Sequence, residues 1–397
     1  MNYQDLFTQN IENIKKEKRY RNFRVVDKDI STYPSVKIDK KFVKIWCSND
    51  YLGMSKNESV IDKFISSATK NGVGSGGTRN ISGTTEEINN LEKEIAEFHG
   101  KESALVFTSG YVSNLASISA IVKIIPEIIV FSDQKNHASI ISGIKQNRAK
   151  YEIFEHNNIN DLELKIQKYP ENTPKIIIFE AVYSMDGSTP NILEIEKIAK
   201  KYKALTYIDE VHSVGMYGKN GRGISNLFNI SNKIDIIQGT FGKSFGVIGG
   251  YICSSKEICD AIRLNGSAFI FTTSLPPAIC AAISESVRVV GGSEGNILRT
   301  KHWRIVDFIK SQFLEKGVEF IDNKDLNTHI IPLIIRGAEN CNNFSKKMQD
   351  KYNIYVQQIN YPTVPIGQER MRITCSPLHT EEDAEYLIKS IVNEVNI

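Results

Sequence analysis

The stretch QGTFGKSFGVIGG, residues 238–250, decides how this chain reads. One lysine, Lys243, stands among Gly239, Gly242, Gly246, Gly249 and Gly250, flanked by Thr240 and Ser244. A mostly apolar run at 234–237 leads in and predicts a short buried strand. Glycine lets the backbone turn sharply and lets a ligand approach closely. A lysine placed there sits at a strand exit, where open α/β sheets bind their ligands. If desolvated, its amine can lose a proton near neutral pH and form a Schiff base. Taken alone, the stretch reads equally well as a solvated lysine in a flexible glycine loop.

Composition narrows the choice. A chain of 397 residues suits one large domain and a smaller one. Its 41% apolar content permits a sizeable core. The net charge of +3 is too small to argue for a nucleic-acid partner. Lysines interleave with acids, as on solvated helix faces. The cysteines, Cys47, Cys253, Cys259, Cys280, Cys341 and Cys375, form no C-x-x-C pair. Neither a metal site nor a disulfide framework is expected, and a reducing cytoplasm fits. The first 18 residues lack a signal peptide's apolar core. No apolar run approaches the roughly 18 residues of a membrane helix.

Residues 3–17 place Leu6, Phe7, Ile11 and Ile14 on one helical face, an arm for packing on the body or on a partner subunit. Arg19-Tyr20-Arg21 is a basic cluster that by itself reads as surface charge. Residues 22–42 read as extended and irregular. In IWCSNDYLGM, 45–54, an apolar strand runs into the turn formers Asn49, Asp50 and Gly53. The loop VGSGGTRNISGT, 73–84, has Arg79 and Asn80 at its centre and could cradle an anion on backbone N–H groups. Its spacing fits neither a phosphate-binding P-loop nor a dinucleotide fingerprint. Thr84 and Thr85 are expected to cap the next helix, with Thr84 and Glu87 in capping-box spacing and Gly100 at its end.

From 103 onward strands alternate with helices, at 104–107, 128–131, 175–179, 205–208 and 251–253. Such alternation implies a doubly wound parallel sheet with right-handed crossovers. Thr108-Ser109-Gly110-Tyr111 opens a helix and is either a phosphate seat or an ordinary cap. Asp209 ends a buried strand and needs a partner, which a protonated pyridine nitrogen or an internal arginine would supply. His137, Glu180, Ser184, Asp209, His212 and Lys243 all fall just after strand ends, so they should gather at one sheet edge. Thr272 and Thr273 precede a helix that Pro277 can start. After about 286 the pattern becomes that of a smaller α+β domain, with a helix at 303–314, strands near 330–335 and 354–357, and a terminal helix at 384–395. Arg372 lies there in a strand-like segment, as a carboxylate clamp or a surface ion pair. The expected division is an arm at 1–45, a large domain at 46–285 and a small domain at 286–397.

CSNDYLGM, GSGGTRNISGT, FTSGYVSN, SDQKNHASII, FEAVYSMDG, YIDEVHSVGMYG, IIQGTFGKSFGVIGGYI, FIFTTSLPP and YVQQINYPTVP together resemble the α-oxoamine synthases across residues 3–395. These are fold-type I enzymes of pyridoxal 5'-phosphate (PLP). The resemblance implies an α/β fold: a large, mostly parallel doubly wound sheet domain and a smaller C-terminal α+β domain. It also implies a homodimer with its active site at the subunit interface. Lys243 resembles the lysine that joins the cofactor and later moves the substrate α-proton. Asp209 resembles the acid on the pyridine nitrogen, His137 the imidazole stacked on the ring, and His212 with Ser184 the groups at the ring hydroxyl. Glu180 resembles a supporting glutamate beside the cofactor. Ser109, Gly110, Tyr111 and Thr240 resemble the phosphate seat, joined by Thr272 and Thr273 from the second subunit. Arg372 resembles the arginine on the amino-acid carboxylate.

Arg21, Thr78 and Asn80 match the set that meets a succinyl carboxylate, and Asn49 lies in the same substrate region. The implied small-molecule substrates are glycine and succinyl-CoA. A branch using a different acyl-CoA is the alternative. GTFGKSFG, RLNGSAF at 263–269 and PTVPIG, with Ile366 where the family has arginine, depart from that branch.

Overall fold

The computed structural model describes residues 2–21 and 23–395. The chain divides into two compact units: Asn49–Tyr183 with Ser188–Thr300, and Met1–Ser48 with Ser184–Gly187 and Lys301–Ile397.

The first unit is built on a seven-stranded sheet. Its spatial order is Ser103–Phe107, Gly250–Ser254, Ile236–Thr240, Leu205–Asp209, Lys175–Glu180, Ile129–Asp133 and Lys150–Phe154. All pairs are parallel except those of Gly250–Ser254, which runs against both neighbours. Central strands such as KIIIFE at Lys175–Glu180 are buried along their whole length. Strands covered on both faces read as continuous apolar runs, which makes them visible in sequence. The edge strand Lys150–Phe154 and the helix Ile159–Ile166 were not expected. KYEIF is largely exposed and lacks such a run.

Local chemistry sets the element ends. Ser109 Oγ accepts from Val112 N–H at 3.1 Å and starts the helix Gly110–Ile124. The helix Glu86–His99 is capped by Thr85, whose side chain accepts from Ile88 N–H. Thr84 does not cap it: its hydroxyl donates to the Arg79 carbonyl, and Glu87 accepts from Asn71. The expected capping box therefore does not form. Pro277–Gly291 packs on Glu58–Asn71 and Glu86–His99.

The second unit holds two sheets. Val26–Asp27, Ser35–Ile38, Lys41–Ile45 and Ile354–Tyr355 form one; the segment 22–42, expected to be extended and irregular, is extended but its described residues include paired strands. Val36, Ile38 and Val43 are buried, and the hairpin turns at Asp39-Lys40, both with positive φ (50° and 64°). That turn geometry usually selects Asn-Gly, so the sequence carries no familiar turn signal. Ile330–Ile334, Arg370–Thr374 and Gln357–Ile359 form an antiparallel sheet. Around Trp46, Val306, Phe313, Met348, Met371 and Leu387 lies this unit's core. The helix expected at 303–314 begins at Ser293. Among the described residues, no helix is long and apolar enough to cross a membrane.

One glycine governs how the two strands around the lysine turn pack. A Cβ on Gly239 would sit 2.2 Å from the Tyr251 ring on the neighbouring strand. Tyr251 is itself held by a 2.8 Å hydrogen bond between its hydroxyl and His99 Nε2. Gly239→Ala is expected to destabilise the protein by about 1–3 kcal/mol in chemical denaturation. Gly74→Ala, with nothing within 4 Å of the added carbon, should stay within about 0.5 kcal/mol of the parent.

Candidate active site

Successive strand ends deliver charged side chains to one cavity of the sheet unit. Glu180 and Asp209 end adjacent parallel strands and face each other in register. His137 is the N-cap of Ala138–Gln146, just beyond the strand Ile129–Asp133. Lys243 follows Ile236–Thr240 by three residues. Gly110 opens the helix that follows Ser103–Phe107. These residues, with Tyr111, Asn114, Ser139, Val211, His212 and Thr240, line a cavity of about 210 Å³.

Asp209 is 4% exposed, and both its oxygens are held. Oδ2 accepts from Asn114 Nδ2 at 2.8 Å and Oδ1 from Val211 N–H at 2.9 Å. Burial raises its pKa; those two bonds, then the charges of His137 and Lys243, pull it back. Glu180 is pushed well above the ordinary glutamate range by burial and by the charge of Asp209. Its carboxylate accepts His137 N–H at 2.6 Å.

His137 is depressed by burial and by Lys243, with Asp209 opposing. Ser139 N–H points at His137 Nδ1 at 3.2 Å, and Ser139 Oγ lies 2.8 Å from the same nitrogen. That atom therefore accepts, and the neutral ring carries its proton on Nε2. His212 Nδ1 lies 2.7 Å from the Tyr51 hydroxyl. Its turn is fixed by buried Glu210, which accepts from Ile224 N–H at 2.9 Å and Ser225 N–H at 2.8 Å.

The helix start at Gly110 presents main-chain amides, the usual seat of an anion. The approach is close: a Cβ on Gly110 would lie 3.1 Å from Thr240 Cβ and Oγ1, so Thr240 would have to give by a few tenths of an ångström. Thr240 Oγ1 donates to Gly249 O at 2.7 Å and accepts from Gly242 N–H at 3.2 Å, so it also pins the lysine turn.

Other candidates lie elsewhere. Thr272 and Thr273 line a separate small cleft with Arg79, Thr108 and Phe269. Thr78 pairs with Thr273 in an isolated bridge, and its hydroxyl donates to Asn80 Oδ1 at 2.7 Å. Asn49 Oδ1 accepts from the Tyr51 hydroxyl at 3.2 Å. In the second unit, Arg372 Nε donates to the Ser184 carbonyl at 2.8 Å, and Arg21 donates to Thr363 Oγ1 at 2.9 Å. Four polar participants escaped the sequence reading: Asn114, Ser139, Tyr51 and Glu210. Asn114 could have been found one helical turn beyond Gly110, on the same face. Tyr51 stands two residues after Asn49 in a segment already singled out.

Residues 43–391 match the family model of aminotransferase class I and II, and the chain belongs to that family. The chain is 48% identical to the 5-aminolevulinate synthase of Rickettsia prowazekii, over 98% of this chain and 93% of that one. It is 43% identical to the 5-aminolevulinate synthase of Rhizobium meliloti, over 98% and 96% respectively. The fold matches a serine palmitoyltransferase solved with PLP at a TM-score of 0.89 and 26% identity, covering 99% of this chain and 95% of that one.

The raised pKa of Glu180 makes stability depend on pH. An acid whose folded pKa exceeds its unfolded one binds its proton more tightly when folded. Stability therefore falls as pH rises from the unfolded value through the folded one. Glu180→Gln keeps an acceptor for His137 N–H but removes the buried charge. In the cofactor-free protein, urea denaturation should show this variant more stable than the parent at pH 8. The gap should close as pH falls toward the ordinary glutamate value; a pH-independent gap contradicts the assignment.

Proposed function

We propose that the chain is a 5-aminolevulinate synthase, which uses PLP to condense glycine with succinyl-CoA and releases CoA and CO2. The observation that carries this is the cavity that brings Lys243, Asp209, His137 and His212 together, in a chain 48% identical to such an enzyme over nearly its full length. The donor set fits PLP. Helix-start amides at Gly110 and Tyr111 suit its phosphate, a buried carboxylate suits its ring nitrogen, a neutral imidazole suits its ring face, and an amine suits its aldehyde. When bound, PLP supplies an electron-poor ring that stabilises negative charge at an amino acid's α-carbon.

The chain's own residues do the rest. Lys243 would hold the cofactor covalently until glycine takes its place, and its amine then moves the proton at the glycine α-carbon. Asp209, oriented by Asn114 and Val211 N–H, would keep a proton on the ring nitrogen, and that cation in turn repays the burial of the carboxylate. His137, held neutral through Ser139, would lie against the ring. His212 with Tyr51, and Ser184, would serve the ring hydroxyl, and Glu180 would support His137 by accepting its main-chain N–H. Arg372 would take the glycine carboxylate through its planar fork. Arg21, Asn49, Thr78 and Asn80 would take the succinyl carboxylate. That anion would otherwise cost several kcal/mol to bury.

Thr272 and Thr273 would complete the phosphate seat of a second copy, which makes the enzyme a homodimer with its sites at the interface. A cytoplasmic location and a role in supplying tetrapyrrole and heme synthesis follow from this reading.

An acyl-CoA panel with glycine and PLP, read by product mass, tests it. Succinyl-CoA should be preferred and give 5-aminolevulinate. Lys243→Ala should lose both turnover and the absorbance of bound cofactor. Preference for another acyl-CoA, or turnover by Lys243→Ala, contradicts the proposal.

A further inference from the structure

We infer that Arg79 is a positioning residue for acyl recognition, acting through a buried ion pair that fixes the loop carrying Thr78 and Asn80. The inference rests on the proposed reading of those two residues as contacts to the succinyl carboxylate. At the sequence level Arg79 stands at the centre of a loop suited to an anion. In the fold its guanidinium is spent elsewhere. Nη1 and Nη2 donate to Glu92 Oε1 and Oε2 at 2.7 and 3.0 Å, and both side chains are 9% exposed. Nε donates to Thr84 Oγ1 at 3.1 Å, and that hydroxyl donates back to the Arg79 carbonyl, so the loop closes on itself. The guanidinium also lies 5.3 Å from the centre of the Phe269 ring.

Glu92 is an equally committed partner. Its Oε1 accepts from Val106 N–H at 2.9 Å as well as from Arg79. One ion pair thus joins the loop, the helix Glu86–His99 and the strand Ser103–Phe107. The loop needs such an anchor. Gly74, Gly76, Gly77 and Gly83 leave its backbone many conformations. Its other ties run within the loop, such as those of Ile81 and Gly83 N–H to Thr78 O, or to Ser274, whose N–H donates to Gly77 O and whose carbonyl accepts from Ser75 Oγ. A two-point fork in a dry site sets orientation as well as distance. Thr78 and Asn80 flank the anchored residue on either side, with their side chains bonded to each other at 2.7 Å. Arg79 therefore touches no substrate; it sets where its two neighbours stand.

The test uses the full-length, PLP-loaded enzyme and compares succinyl-CoA with butyryl-CoA, an acyl group of the same length lacking the carboxylate. Arg79→Lys keeps the charge but loses the fork. It should raise KM for succinyl-CoA on the order of tenfold, since a small misplacement of a binding group has effects of that size or larger. The succinyl-to-butyryl selectivity should fall by a similar factor. KM for glycine and the cofactor absorbance should stay at parental values. Glu92→Gln, which preserves the shape of the partner, should shift selectivity in the same direction and decides the matter if Arg79→Lys does not fold. Unchanged selectivity in a folded, PLP-loaded variant overturns the inference. So does an equal loss with both acyl groups, the mark of a merely structural residue. A parent enzyme with no preference for succinyl-CoA would overturn the functional reading and the inference together. A selective parent with an indifferent Arg79→Lys overturns the anchor alone.

Discussion

A carboxylate buried at the end of a central strand cannot stay charged without compensation, and Asp209 imposes that condition on its surroundings. The sheet places Glu180 in register beside it, where burial and then the charge of Asp209 push the Glu180 carboxyl well above the ordinary glutamate range. Asn114 and Val211 N–H meet part of the need at Asp209 with hydrogen bonds. The charges of His137 and Lys243 also lower its pKa, and under the proposed function a protonated cofactor ring would add a further cation.

Other buried charges in the same unit are closed by the protein itself. Glu210, the next residue along, is covered by two main-chain amides and the Ser213 hydroxyl. Glu92 is covered by Arg79 and Val106 N–H. Lys175 donates to the carbonyls of Pro170 and Thr173, both at 2.8 Å. The contrast separates carboxylates sealed by the protein's own donors from carboxylates that line the cavity. Glu210 ties the turn after Asp209 to residues 224 and 225 and Glu92 ties the loop at Arg79, whereas Asp209 and Glu180 line the cavity.

The parts legible in sequence share a physical cause. Strands sealed on both faces announce themselves as apolar runs, and residues at their ends must converge, so Lys243, Asp209, Glu180 and His137 could be grouped before any coordinates. The edge strand Lys150–Phe154 and the hairpin through Asp39-Lys40 could not, since one lacks an apolar run and the other uses unusual turn residues. Asn114, Tyr51 and Glu92 were hidden for a different reason. A polar residue within a helix or a turn has no signature of its own until folding shows which distant group it serves. Arg79 was visible as a charge, but its destination was not.

In the proposed function Lys243 is the residue that meets the cofactor's aldehyde in this cavity. Borohydride reduction of the PLP-loaded protein, followed by peptide mass mapping, addresses it without relying on turnover. One pyridoxyl group per chain, fixed on Lys243, is expected. A label on another lysine, or one spread over the surface lysines with Lys243 unmodified, would contradict it.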